Sequence, residues 1–220
     1  MFPYPFSFLS TSAAGLADID NAFSMEFDGL DDYMTTGINL GYTNYPNLSL
    51  SCWVKMDNTA LTNYTSYCPI GVLAGSYINS SAMNIYRNAT VSLVEVQGAA
   101  AAVFGTTDLG DDNWHHIVST YAYDAAGTIV NVYVDGNSTP EIVNAALRSY
   151  GPLTGDLILG TPRITPLFRP FLGNVDEVAA FDYILSTDDI ADIFNATSTG
   201  KTADLSSMST PPVAWYRMGD

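Results

Sequence analysis

Short runs of alternating apolar and polar residues recur along the chain, and residues that favour turns separate them. Among the breakers are Asp57-Asn58, Gly151-Pro152 and Asp135-Gly136, the last of which is typical of a tight hairpin. Period-two alternation buries one face of a strand, so the pattern predicts an all-β sandwich. The predicted strands are 23–27, 32–36, 48–55, 69–77, 83–87, 91–97, 101–106, 114–122, 129–134, 156–160 and 174–183.

One helix is predicted, over residues 187–195. Ser186 is a favourable N-cap, and two aspartates follow in the first turn, where the helix dipole stabilises negative charge. Ile190, Ile193 and Phe194 then have the three-to-four spacing of an apolar helix face.

The charge balance excludes several classes of partner. The 220 residues include 23 acidic and 7 basic ones, a formal net charge of −16. Such a chain is not expected to bind nucleic acid, whose phosphates require Lys and Arg, or an anionic membrane surface. Membrane insertion is not expected either, because the sequence has no run of about 18 apolar residues. Two interpretations of the acidity remain: a surface kept soluble by its own repulsion in salty water, or specific cation binding.

Cys52 and Cys68 leave two alternatives open. Cys52 lies on the apolar face of its predicted strand, and Cys68 lies near the start of the next strand. The two residues would therefore form either a disulfide that closes the hairpin or a pair of buried thiols.

Five segments, taken in order, resemble the laminin-G-like (concanavalin A-like) jelly-roll family over roughly residues 22–196. The segments are 24–33 (SMEFDGLDDY), 48–55 (LSLSCWVK), 114–118 (WHHIV), 131–136 (NVYVDG) and 173–178 (GNVDEV). The resemblance implies an all-β, two-sheet antiparallel jelly-roll sandwich with one short C-terminal helix. It leaves the function open, because lectins, adhesion modules, glycosidases and virus-particle proteins share this fold.

No catalytic residue is predicted. Glycosidases of this fold resemble one another in a Glu-x-Asp-x-Glu strand that carries two carboxylates on one face. The four glutamates of this chain, Glu26, Glu95, Glu141 and Glu177, do not form that pattern. From this absence the chain is expected not to be an enzyme.

A structural Ca²⁺ is the one cofactor that the resemblance implies. Many members of the family hold it between the turn after the first strand and the strand before the helix, which corresponds here to Asp28, Gly29 and Asp176. The alternative is that Asp28 makes an Asx-turn and Asp176 hydrogen-bonds to backbone. His115 and His116 are not expected to share a metal, since neighbours on a strand point to opposite faces. One of them is expected to be packed and the other solvated.

The domain organisation predicted has three parts: an extended N-terminal arm (1–20), the jelly roll (21–196), and a linker with a C-terminal strand (197–220). The arm lacks the basic region of a signal peptide, and prolines interrupt it. The C-terminal strand either pairs with its own sheet, joins another chain, or leads into a further domain. Aromatic residues at both ends are predicted to make assembly contacts, namely Phe2, Tyr4, Phe6, Phe8, Trp215 and Tyr216. Deletion of either end is expected to leave the jelly roll folded.

The function favoured by these features is a structural or adhesion component of a phage particle, such as a capsid decoration, spike or fibre protein. Its partners would be other virion subunits, in a homo-oligomer, and a cell-surface glycan. The last residues, 214–220 (AWYRMGD), also resemble segments of laminin-G-like proteins from marine phages. The location would be the virion. The alternative is an extracellular carbohydrate-binding, lectin-like module.

Overall fold

The computed structural model describes residues 15–41, 45–73, 83–97, 101–124, 127–146, 155–161, 163–164, 167–197 and 200–218. The strands are β1 Asp18–Asp20, β2 Met25–Asp28, β3 Met34–Asn39, β4 Asn47–Asp57, β5 Thr65–Leu73, β6 Met83–Arg87, β7 Ser92–Gln97, β8 Ala102–Phe104, β9 Asp111–Asp124, β10 Gly127–Val134, β11 Ile142–Ala146, β12 Asp156–Leu159, β13 Arg163–Ile164, β14 Leu167–Phe168, β15 Leu172–Phe181, β16 Lys201–Ala203 and β17 Ala214–Tyr216. Helix α1 is Thr187–Asn195, and a 3₁₀ helix covers Leu205–Ser207.

Two antiparallel sheets form the sandwich. The seven-stranded sheet has the order β11-β10-β9-β4-β15-β17, and β2 also pairs with β15. The six-stranded sheet has the order β3-β12-β5-β6-β7-β8. Two small ribbons, β1-β16 and β13-β14, complete the described pairings. The predicted two-sheet antiparallel jelly roll with one short helix is thus confirmed.

Alternation along β4 shows how the sequence builds two cores. Leu50, Cys52 and Val54 point inward to the core between the two sheets. The residues between them, including Trp53, point to the outer face of the seven-stranded sheet. Part of that outer face carries a second core, in which strand and helix side chains pack together: Val118, Ala179, Phe181, Leu185, Ile190, Ile193, Ala203, Leu205 and Met208. The region of the outer face beyond this second core contains the candidate site.

Each of the eleven predicted strands has a counterpart among the observed ones, and the helix occupies residues 187–195 as predicted. The Ser186 side chain accepts a hydrogen bond from the Asp189 backbone N–H, and the Asp189 carboxylate accepts one from the Ser186 backbone N–H, which completes a capping box. Strands β1, β11, β13, β14 and β16 were not predicted, because short segments without alternation are strands only through their partners. Of these strands, β1 lies in the predicted N-terminal arm and β16 in the predicted C-terminal linker.

The C-terminal strand pairs with its own sheet. In the register of β17 with β15, Ala180 lies opposite Ala214 and Ala179 opposite Trp215. Ala214 is buried in the core between the sheets, while Trp215 packs on the second core. Of the three alternatives for this segment, the first is the one observed. The assembly roles of Trp215 and Tyr216 stay predictions, and Phe2, Tyr4, Phe6 and Phe8 lie outside the described residues.

The two cysteines are free and buried. Burial raises the pKa of both thiols. The Cys52 thiol lies 3.5 Å from the Met83 sulfur, and the Cys68 thiol donates to the Ile70 carbonyl at 3.1 Å. The alternative of two buried thiols is therefore the one observed. No helix among the described residues is long and apolar enough to span a membrane.

Candidate functional site

A cleft of about 580 Å³ opens on the outer face of the seven-stranded sheet. Three parts of the fold form its walls: the segment between β1 and β2, one residue from each of β4, β9 and β15, and the C-terminal end of α1 with β16. Four aromatic side chains line it, those of Phe23, Trp53, Trp114 and Phe194. We call it the aromatic cleft.

Trp53 anchors a stack of parallel rings in the aromatic cleft. Its ring centroid lies 5.1 Å from that of His116 and 5.6 Å from that of Phe194, at interplanar angles of 28° and 12°. The rings of Trp114 and Phe23 are less covered, with 39% and 60% of their surface exposed. The cleft therefore offers one fixed aromatic surface and two that face solvent.

The predicted Asp135-Gly136 hairpin turn supports this stack from below. Gly136 has φ +67°, and a Cβ at this position would lie 2.6 Å from the Phe194 Cβ. Only glycine permits both the left-handed turn and the close approach of Phe194. The Asp135 carboxylate accepts the backbone N–H of His116 at 3.0 Å, which fixes the turn to β9.

The polar side of the cleft is built around Asp176, which is 5% exposed. The Asn21 Nδ2 donates to one Asp176 carboxylate oxygen at 2.9 Å, and the Glu177 backbone N–H donates to the other at 2.8 Å. Asn21 also donates to the Glu177 carboxylate at 3.2 Å, so its amide bridges the two acids. Its own backbone N–H donates to the Gly200 carbonyl at 2.9 Å. Asn21 is thus held from both sides at the cleft wall.

Glu177 lies behind this wall and is 4% exposed. It has φ +50° at a bulge in β15, a left-handed backbone conformation that is strained for a residue with a side chain. The Trp215 indole N–H donates to its carboxylate at 2.6 Å, and Arg217 Nε lies 3.6 Å away. Burial, aided by the neighbouring Asp176, outweighs these two partners and raises the pKa of Glu177 to about 7.

Both histidines are buried, so the expectation of one solvated histidine is wrong. Burial lowers the pKa of His116 to about 4, and its ring stacks with Trp53 as a neutral group. His115 points to the other face and lies between Asp135, at 2.8 Å, and Asp111, at 3.1 Å. Burial alone would lower the pKa of His115, but these two carboxylates raise it. The opposite directions of the two rings agree with the expectation that they cannot share a metal.

The structure does not bring Asp28 and Asp176 together. Asp28 lies opposite Leu172 in the register of β2 with β15, four residues from Asp176. At roughly 3.3 Å per residue this separates the two positions by about 13 Å along the strand. Asp28 accepts the Leu30 backbone N–H at 2.8 Å around Gly29, which is the Asx-turn of the alternative interpretation.

A different group of carboxylates surrounds Asp28. Oxygen atoms of Asp28, Asp31 and Asp32 all lie within 4.8 Å of one another, and the three residues are exposed. Asp32 also accepts the Asp28 backbone N–H at 3.0 Å. Oxygen atoms at such spacing suit a hard cation better than the predicted set with Asp176, although exposed acids often cluster without one.

Sequence reasoning singled out one member of the aromatic cleft, Asp176, as a calcium ligand, and did not assign the aromatic members to a site. One signal was present: Trp53 shares its face of β4 with Ser49, Ser51 and Lys55, so a large aromatic ring lies on the polar face of an alternating strand. Asn21 carried no such signal, because it reaches the site only through the pairing of β1 with β16.

The two antiparallel sheets packed on each other, with one short helix, define the chain as a jelly-roll sandwich. A laminin-G-like family model, described as the concanavalin A-like lectin/glucanases superfamily, matches residues 28–191. The chain therefore belongs to this superfamily, as its resemblance predicted. No curated protein is significantly similar to the chain in sequence.

Three solved structures illustrate the likeness in fold. A heptameric SAP-like pentraxin from Limulus polyphemus is 12% identical, with a TM-score of 0.57 over 77% of this chain and 80% of that chain. A sialidase from Trypanosoma rangeli is 20% identical, with a TM-score of 0.57 over 80% of this chain but 27% of that chain. A Bacteroides ovatus protein described as carbohydrate binding is 12% identical, with a TM-score of 0.55 over 94% of this chain and 53% of that chain. At these identities the likeness concerns the fold alone.

The expectation that the chain is not an enzyme is corrected by this comparison. The absence of a Glu-x-Asp-x-Glu strand excludes one arrangement of glycosidase carboxylates. The similar structures include Trypanosoma rangeli sialidases, so a domain with the fold of this chain occurs within enzymes. This chain spans about a quarter of the sialidase's length, and the likeness assigns it no reaction.

Proposed function

We propose that the protein binds carbohydrate through the aromatic cleft, as a lectin-like module. The observation that carries the proposal is the pairing of an aromatic floor with a fixed polar wall: Trp53 and Trp114 lie beside Asn21 and Asp176 in one opening of about 580 Å³. This volume lies within the range of small-molecule sites, which combine apolar surfaces with a few positioned polar groups.

A pyranose ring matches both features. Its apolar C–H face packs on an aromatic ring, and its hydroxyl groups need hydrogen-bond partners at the ring edge. Asn21 is held in place by its contacts to Asp176, Glu177 and the Gly200 carbonyl, so little conformational entropy is lost when a ligand binds. The similar fold of a Bacteroides ovatus protein described as carbohydrate binding supports the proposal at the level of fold.

A glycan array, followed by calorimetry on the glycans that bind, tests the proposal. Trp114→Ala is the variant of choice, because Trp114 is partly exposed, whereas Trp53 also supports the stack with His116 and Phe194. We expect Trp114→Ala to weaken binding by roughly tenfold or more, since stacking and apolar burial are both lost.

Tyr33→Ala is the matched control for Trp114→Ala. Tyr33 is an aromatic residue of similar exposure that does not line the cleft, and its removal should leave the affinity unchanged. The proposal fails if no glycan binds, or if the two variants lose affinity equally.

The calcium prediction now rests on Asp28 without Asp176. If Ca²⁺ stabilises the native state at the Asp28, Asp31 and Asp32 carboxylates, excess chelator will lower the melting temperature by mass action. Asp31→Asn should remove this dependence on chelator, and Asp176→Asn should retain it. A melting curve that chelator does not change would leave only the Asx-turn at Asp28.

The role in a phage particle stays a prediction from the sequence. Four of the six residues proposed for assembly lie outside the described part of the chain, and Trp215 contacts its own sheet. Among the described residues, no observation favours the virion over an extracellular location.

A further inference from the structure

We propose that the aromatic cleft selects uncharged glycans over anionic ones, and that Asp18 is a residue that determines this specificity. The inference deepens the proposed function and rests on it. It follows from the charges that surround the cleft.

Charged groups are few at the cleft wall. Among the described residues that line it, one is acidic, Asp176, and one is basic, Lys201. Sialylated, sulfated and uronic acid glycans carry anions, which proteins bind with the cationic side chains of Arg and Lys. Lys201 is therefore the side chain on which recognition of an anionic ligand would depend.

Lys201 already has a carboxylate partner. Its ammonium nitrogen lies 3.1 Å from Asp18 Oδ1 across the ribbon of β1 with β16. In that register Asp20 is directly opposite Lys201, so two acids of β1 flank one lysine. The ribbon thus adds more negative than positive charge to this wall.

Arg217 does not reverse this balance. Its Nη2 donates to the Asp20 backbone carbonyl, and its Nε lies 3.6 Å from the Glu177 carboxylate. Its guanidinium also lies over the Trp215 ring, so its one positive charge faces the Asp20 carbonyl and the Glu177 carboxylate. Helix α1 also directs its C-terminal end, where the dipole is negative, toward the cleft, and its last turn has no basic residue. An anionic ligand would meet net negative charge, in a protein whose formal charge is −16.

Binding of matched glycan pairs tests the inference. Each pair has one backbone, in an uncharged form and in a sulfated or sialylated form, and the dissociation constants are measured by calorimetry at low and high salt. We expect the uncharged form to bind better, without dependence on salt. The ratio between the dissociation constants of the anionic and uncharged forms should fall at high salt, because salt screens the repulsion between the anionic form and the protein.

The variant Asp18→Asn tests whether Asp18 causes the discrimination against anionic glycans. The substitution keeps the shape of the side chain, lies outside the lining of the cleft and removes the carboxylate charge that pairs with Lys201 at 3.1 Å. We expect anionic glycans to bind about three- to fivefold more tightly, the scale of one exposed ion pair, and uncharged glycans to bind as before. Asp156→Asn, on β12 of the other sheet, makes the same change of charge and should not alter the ratio.

The outcomes separate the two proposals. If the native protein prefers the anionic form, or if Asp18→Asn and Asp156→Asn give the same ratio, charge selection by Asp18 is wrong while carbohydrate binding stands. If neither form of any glycan binds, carbohydrate binding is wrong, and the inference fails with it.

Discussion

Deletion of residues 211–220 is expected to lower the free energy of unfolding by at least about 4 kcal/mol, enough to unfold many domains of this size. The deletion removes β17, its pairing with β15 and the Val213 N–H···O=C bond to Ala180. It also removes Ala214 from the core between the sheets and Trp215 from the second core. Loss of a Trp buried in a core costs about 3–5 kcal/mol, and the half-buried Trp215 is expected to contribute the lower part of that range.

Urea unfolding followed by circular dichroism measures this loss. Trp215→Ala should account for much of it, whereas Val213→Ala, at an exposed position of the same segment, should cost little. A truncated chain with the native midpoint would show that β17 is dispensable, as the sequence had suggested. The structure revises that expectation, because the strand completes its own sheet.

Replacement of Glu177 by Gln is expected to remove a pH-dependent part of the stability. The pKa of Glu177 is raised from 4.5 to about 7, chiefly by burial. Between these values the native state binds more protons than the unfolded state, so the free energy of unfolding falls as the pH rises. The stabilisation is complete below pH 4.5 and is lost above pH 7, and it amounts to roughly 2–3 kcal/mol.

Glu177→Gln should therefore be more stable than the native protein at pH 8 and no more stable at pH 4.5. The difference between the two proteins isolates Glu177 from the histidines. His116, whose pKa is lowered to about 4, acts in the opposite direction: its contribution to stability rises with pH between 4 and 6.5. His115, whose pKa is raised, contributes stability that is lost as the pH rises through its folded-state value.

The exposed Glu26, on β2, supplies the control for this prediction. Glu26→Gln makes the same substitution at an exposed position, and the prediction requires Glu177→Gln to change the pH dependence of unfolding more than Glu26→Gln does. If the free energies of unfolding of the native protein and of Glu177→Gln change with pH in the same way from pH 4.5 to 8, the prediction is contradicted. Ionisation of Glu177 would then cost the folded state little.

The sequence by itself determined the sandwich, because alternation is a local property. The inward residues of β4, such as Leu50 and Val54, and the turn at Asp135-Gly136 follow from side-chain period and turn chemistry. The helix after Ser186 follows from capping and spacing in the same local way. The resemblance over residues 22–196 named the superfamily for the same reason, since its motifs lie in these strands and turns.

The tertiary structure alone decided the site. Asn21 and Asp176 are 155 positions apart, and only the pairing of β1 with β16 and the bulge in β15 bring their side chains to 2.9 Å. Register also separated Asp28 from Asp176, which the order of motifs had placed together. Strand order, register and burial depend on contacts between distant segments, and burial sets the pKa of Glu177. Local sequence fixes which face a residue occupies, whereas the residues that it meets there are fixed by the folded chain.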